Sequence, residues 1–146
     1  MTPVARPAAV LLVRHAAAGG PRPGTQDHVR PLSPRGRRQA EGLVGLLAPF
    51  RPARILSSPS LRCVETVQPL AARLGLAVEE AEELAEGRGA AGIALVAGPG
   101  AGPGALVLCS HGDVVPELLW ALAAEAVEAA AGDGEPRCQK GSTWVL

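Results

Sequence analysis

Short runs of strand length alternate along the chain with segments of helical periodicity, and that alternation constrains the fold more than any other feature. Ala8-Ala9-Val10-Leu11-Leu12-Val13 is continuously apolar, as expected of a strand buried on both faces. Residues 19–31 are rich in Gly, Pro and polar side chains and read as a loop. Ser33-Pro34 then opens a helix, with Ser as N-cap and Pro at the first helical position. Its apolar stripe is Ala40, Leu43, Leu46, Leu47 and Phe50. Ala53-Arg54-Ile55-Leu56-Ser57 is a second strand, and Ser58-Pro59 repeats the cap-plus-proline signal. The helix that follows carries Val64, Val67, Leu70, Ala71 and Leu74 at helical spacing and ends at Gly75. Leu76-Ala77-Val78-Glu79 is a short strand, residues 93–97 a short helix and residues 98–104 a glycine-rich connection. Ala105-Leu106-Val107-Leu108-Cys109 is the next buried strand. Asp113 caps a helix carrying Val114, Leu118, Leu119 and Leu122, with Pro116 in its first turn. Ser142-Thr143-Trp144-Val145-Leu146 makes a final strand at a sheet edge. The pattern predicts an α/β domain of three layers, α/β/α, around a mostly parallel sheet. The length of 146 residues fits a single domain over residues 1–146.

Composition excludes several classes. Hydrophobic residues make up 47% and charged residues 19%, which is the balance of a folded chain rather than a disordered one. The formal net charge is zero, and one Phe, two Trp and no Tyr leave no base-stacking platform, so nucleic acid is not an expected partner. No apolar run approaches the roughly 20 residues that span a bilayer, and residues 1–7 lack the charged start and separate apolar stretch of a signal peptide. A membrane partner is not expected either. Cys63, Cys109 and Cys138 are odd in number and have no CxxC spacing, which argues against a disulfide framework or a zinc knuckle and for the cytoplasm. Neither Cys63 nor Cys109 is followed by the Arg six positions on that a cysteine phosphatase uses, so both read as small core residues. The glycines of residues 98–104 precede a strand and no Gly-Lys-Ser/Thr follows them, which is not the arrangement of a phosphate loop; the order Lys140-Gly141-Ser142-Thr143 is equally wrong for one.

In open α/β sheets ligands bind outside the carboxyl ends of the strands. The first strand ends at Arg14-His15, the second at Ser57-Ser58, four residues before Arg62, and the third apolar run at Ser110-His111. Singly, a histidine after a strand is a hydrogen-bonded structural residue and an arginine in a helix's first turn is a surface residue. Four such residues after three strands, on one sheet edge, point to a site. Two guanidinium and two imidazole groups suit a dianionic phosphoryl group, because arginine offers a planar fork of donors and stays charged. An imidazole can attack phosphorus when a backbone carbonyl holds its other ring nitrogen as a donor. A second, protonated imidazole can stabilise the equatorial oxygens. No carboxylate cluster stands ready for a metal, and no cofactor is expected. His28 lies in the loop, exposed or at the pocket rim, where Asp27 and Arg30 pair locally.

Leu11-Leu12-Val13-Arg14-His15-Ala16, Ser57-Ser58-Pro59-Ser60-Leu61-Arg62-Cys63-Val64-Glu65-Thr66 and Cys109-Ser110-His111-Gly112 together resemble the histidine phosphatase superfamily, with its phosphoglycerate mutase-like fold. Arg30-Pro31-Leu32-Ser33-Pro34-Arg35-Gly36-Arg37-Arg38-Gln39-Ala40 resembles that family's first helix and its approach, and the likeness runs in order from residue 10 to about 122. Within the family the chain resembles the short SixA-like branch. It is similar also, through residues 140–146, to the phosphatase domain C-terminal to Nudix domains in some actinobacterial MutT-type proteins.

The resemblance implies that His15 is a nucleophile that becomes phosphorylated, and that Arg14, Arg62 and His111, with Gly112, complete the phosphate pocket. It implies that Glu86, in Leu84-Ala85-Glu86, is the proton donor. Read from the residues alone, Glu86 is one of five glutamates between Glu79 and Glu86, a pattern equally suited to a solvated acidic face. Ala16 departs from the family's usual Gly after the first His. The chain lacks the long insertions of the sugar-phosphate mutases, so the implied site is open and fits a phosphoprotein, a nucleotide or a small phosphate ester. The expected activity is a metal-independent phosphatase acting on a monoester or phosphoramidate through a phosphohistidine. The competing expectation is a catalytically weak phosphate- or nucleotide-binding module that partners a Nudix-type domain.

Overall fold

Strands and helices alternate as the apolar runs require: β1 Val10–Arg14, α1 Pro34–Leu47, β2 Pro52–Ser57, α2 Leu61–Leu74, β3 Val78–Glu80, α3 Ile93–Ala97, β4 Ala105–Ser110, α4 Val114–Ala126 and β5 Thr143–Val145. The computed structural model describes residues 7, 9–20, 23–24, 26–97, 104–126 and 143–146. The expected connection at 98–103, Cys138 and residues 140–142 of the terminal motif lie outside the described residues, as do residues 1–6. Among the described residues five strands form one sheet in the order β3-β2-β4-β1-β5. β1, β2, β3 and β4 pair in parallel, and β5 joins β1 antiparallel at the edge.

The period-2 alternation of strand side chains divides the core in two. Leu11, Val13, Ile55, Val107 and Cys109 pack with Leu43 and Leu47 of α1 and Val67 and Leu70 of α2. Leu12, Leu56, Leu106 and Leu108 point to the other face and meet Val114, Leu118, Leu119 and Leu122 of α4. Helices therefore cover both faces of the central strands, giving the expected three layers. Each such large apolar side chain taken fully from water contributes about 1.5–3 kcal/mol.

Two expectations shift. On α1, Leu46 is 66% exposed, and Phe50 is 42% exposed on a 3-10 turn beyond the helix end. The buried face is Gly36, Ala40, Leu43 and Leu47, spaced by four, three and four, which turns Leu46 about 100° away. β3 starts at Val78 rather than Leu76, because Leu76 N–H still bonds the Ala71 carbonyl (2.9 Å) to close α2 over the left-handed Gly75. Asp113 stands directly before α4, as expected of its cap, and its carboxylate also reaches across to the Gly87 N–H (2.8 Å). Among the described residues no helix is long and apolar enough to cross a membrane.

Candidate active site

β1, β2 and β4 end level, with Arg14 registered to Ser110 and Ser57 to Cys109. The ladder runs one residue further: His15 N–H donates to the Ser110 carbonyl (3.0 Å) and Ser58 N–H to the Cys109 carbonyl (2.9 Å). These bonds set His15, Ser58 and His111 side by side at the carboxyl edge. Arg62 enters from the first turn of α2. The same helix holds the turn after His15, since Thr66 Oγ1 accepts from Ala16 N–H (2.9 Å) and donates to the Arg62 carbonyl (2.6 Å). On the other side, Ser33 caps α1 by accepting from Gly36 N–H (3.1 Å) and donates to the Ala17 carbonyl (3.0 Å). A Cβ on Gly36 would collide with that carbonyl, so α1 approaches the loop this closely only with glycine there.

A cavity of about 290 Å³ opens at this edge, lined by Arg14, His15, Arg62, Glu86, His111 and Gly112 together with Ala18, Arg30 and Asp113. The structure thus brings together every residue singled out from the sequence for the site. The two imidazoles stand edge to face, centroids 5.5 Å apart at 69°. His15 Nδ1 lies 2.7 Å from the Ala16 carbonyl, which can only accept, so the ring hydrogen is on Nδ1 and the lone pair is on Nε2. Gly112 presses against Arg14: a Cβ there would come within 2.6 Å of the guanidinium carbon.

Arg62 is the buried centre of the cluster, 2% exposed. Its Nη1 donates to the Asp27 carbonyl (3.0 Å). Its Nη2 lies 3.1 Å from Asp27 Oδ2, 3.3 Å from Glu86 Oε2 and 3.2 Å from His111 Nδ1. Its Nε is buried and makes no hydrogen bond among the described residues. Glu86, 61% exposed, therefore stands at the pocket mouth as a partner of Arg62 and not merely on an acidic face.

Burial holds the His15 imidazole well down, to about 4, against the opposing pull of its bond to Ala16; the nearby Arg62, His111 and Arg14 charges push the same way as burial. The ring is neutral above that value. Cys63 and Cys109 are buried and free, as expected of core residues, and burial pushes the Cys109 thiol up.

Sequence reasoning missed four contributors. Ser58 was expected to cap α2, yet α2 begins at Leu61 with Ser60 as N-cap, and the Ser58 hydroxyl lies 2.9 Å from His111 Nε2. The rule that selected His15 and His111, position at a strand's carboxyl end, selects Ser58 equally. Asp27 and Arg30 pair as expected (3.1 Å), but Asp27 also grips Arg62 and Arg30 lines the cavity. No sequence signal marks that reach, which depends on the path of the 3-10 turn Asp27–Val29. Thr66 lies one helical turn beyond Arg62, and its spacing was the only available sign.

Comparison with known proteins bears on the family and the fold. The family model of the histidine phosphatase superfamily, branch 1, matches residues 10–91. The 8-oxo-(d)GTP phosphatase of Mycolicibacterium smegmatis is 36% identical over 147 residues, covering 94% of this chain and 43% of its own length. The chain thus spans less than half of that curated relative. Among solved structures, a candidate phosphohistidine phosphatase SixA from Agrobacterium tumefaciens is 30% identical with a TM-score of 0.75, covering 96% of this chain and 91% of its own. A second, from Nakamurella multipartitia, is 26% identical with a TM-score of 0.77, covering 99% and 86%.

Proposed function

Because the chain belongs to the histidine phosphatase superfamily, we propose that it is a phosphatase that works without a metal through a phosphohistidine at His15. The observation that carries the reading is the His15 Nδ1–H bond to the Ala16 carbonyl, which leaves Nε2 unprotonated in a cavity lined by the guanidinium groups of Arg14, Arg30 and Arg62. In the first step Nε2 attacks phosphorus in line, the bond from phosphorus to the leaving atom breaks, and Glu86 gives that atom a proton. Arg14, Arg62 and His111 hold the phosphoryl oxygens. In the second step water displaces His15 from phosphorus and releases inorganic phosphate, with its proton returning to Glu86.

Two substrate classes have support. The M. smegmatis relative is named for a nucleotide and the solved relatives for phosphohistidine. Arg30 lines both the cavity and an adjoining groove of about 610 Å³, which gives room for a bulky leaving group of either kind.

The pH profile of phosphate release from an aryl phosphate tests the nucleophile. His15 acts as the neutral ring, and its folded pKa lies below the ordinary 6.5, at about 4. Once the substrate's own second phosphate ionisation is divided out, activity therefore persists through pH 5–7 and falls only as pH drops through about 4; kcat/KM so corrected reports this value for the free enzyme. An acid limb centred at the ordinary imidazole value would contradict the assignment.

Glu86 gives a sharper test of the leaving group. An alkoxide leaves poorly and gains about 10²–10⁴-fold from a proton donor. A phenoxide or an imidazole leaves with far less help. Glu86→Gln should slow alkyl phosphates much more than aryl phosphates or phosphohistidine. Equal losses on all three would make Glu86 a structural partner of Arg62 and no acid.

A further inference from the structure

We propose that Ser58 is a positioning residue for His111, whose hydroxyl takes the imidazole's Nε2 hydrogen and keeps Nδ1 turned to the phosphoryl pocket. The proposal deepens the phosphatase reading and rests on it. Ser58 is fully buried and His111 nearly so, at 2% exposure. The two ring nitrogens of His111 meet different company. Nδ1 faces Arg62 Nη2 at 3.2 Å, while Nε2 faces Ser58 Oγ at 2.9 Å and Cys63 Sγ at 3.6 Å.

A guanidinium can only donate, so Nδ1 must accept and the hydrogen must sit on Nε2. Ser58 Oγ is then its acceptor, while also taking the Ser60 N–H (3.3 Å). The thiol of Cys63 is more distant and a weaker acceptor. Ser58 itself is fixed by the ladder bond from its N–H to the Cys109 carbonyl (2.9 Å), so the acceptor is anchored to the end of β4, the strand His111 follows.

The arrangement matters when a phosphoryl oxygen replaces Arg62 at Nδ1. That oxygen takes a hydrogen from Nδ1, and the Ser58 hydroxyl, which can accept from Nε2 or donate to it, stays on the far side of the ring and keeps Nδ1 facing the oxygen. Without the hydroxyl the ring loses its anchor at Nε2 and is free to rotate; losses of this kind of positioning reach about 10²-fold.

The test reads imidazole ¹⁵N shifts of His111 in the substrate-free protein, beside kcat/KM on an aryl phosphate. In the wild type, His111 should carry its hydrogen on Nε2. Ser58→Ala should keep it there, because Arg62 still faces Nδ1, but should move the Nε2 shift to that of a nitrogen without its acceptor and lower kcat/KM by about 10- to 100-fold. Cys63→Ala should leave the Nε2 shift as in the wild type. A wild-type hydrogen on Nδ1 would overturn the proposal, as would a Ser58→Ala protein with unchanged Nε2 shift and rate, or an Nε2 shift that responds to Cys63→Ala instead. Because the shift is read without substrate, an inactive wild type with the expected Ser58 effect on it would sink the phosphatase reading alone.

Discussion

His15→Ala should lower kcat on an aryl phosphate by about 10⁴-fold or more, to a rate set only by binding and electrostatics. The nucleophile supplies the covalent route itself, so its loss cannot be offset by the remaining pocket. The fold should survive. The side chain contributes one hydrogen bond, to the carbonyl of its own neighbour Ala16, while the strand end is held by backbone bonds to Ser110 that alanine keeps. Steady-state kinetics beside a thermal melt check both halves. A folded His15→Ala protein with wild-type turnover would remove the mechanism. A wild type that binds phosphate and turns over no ester would leave the binding-module reading instead.

The second large effect belongs to Arg62. Arg62→Ala should cost about 10²–10³-fold in kcat/KM, or about 3–4 kcal/mol of transition-state stabilisation. The guanidinium is buried, and Asp27 and Glu86 orient it before any phosphoryl group arrives. Its fork matches two phosphoryl oxygens at once, so Arg62→Lys, which keeps the charge and loses the fork, should recover only part of the loss. The stability cost should stay small, because both carboxylate partners are more than half exposed and return to water when the arginine is removed. Kinetics of Arg62→Ala and Arg62→Lys on one substrate settle the point: equal activity of Lys and Arg proteins would mean that only charge matters there.

The strands were legible because β1 and β4 are continuously apolar, the mark of a sheet covered on both faces. Their ends then named Arg14, His15, Ser110 and His111 without further help. Arg62 followed from its place in the first turn after β2. What the sequence could not show lies in tertiary reach. Ser58-Pro59 carries the local chemistry of a helix start, yet the hydroxyl finds His111, since Ser58 is still tied to the β4 ladder and α2 begins three residues later. Asp27 pairs with Arg30 as local spacing suggests, and only the folded path of its 3-10 turn sets the other carboxylate oxygen on Arg62. Five glutamates crowd residues 79–86, and only the fold separates Glu79, which pairs with Arg54 at the surface (2.8 Å), from Glu86 at the cavity. Leu46 fits the apolar stripe of α1 by composition and misses it by angle.

The central claim is a covalent phosphoryl group on His15, and rapid quenching into alkali during turnover of a phosphate ester tests it directly. Peptide mapping by mass spectrometry should find one phosphoryl adduct, on the peptide bearing His15, that forms before phosphate is released and is lost in acid as a phosphoramidate is. Turnover at full rate with no adduct on His15, or with the adduct on another residue, would contradict the account.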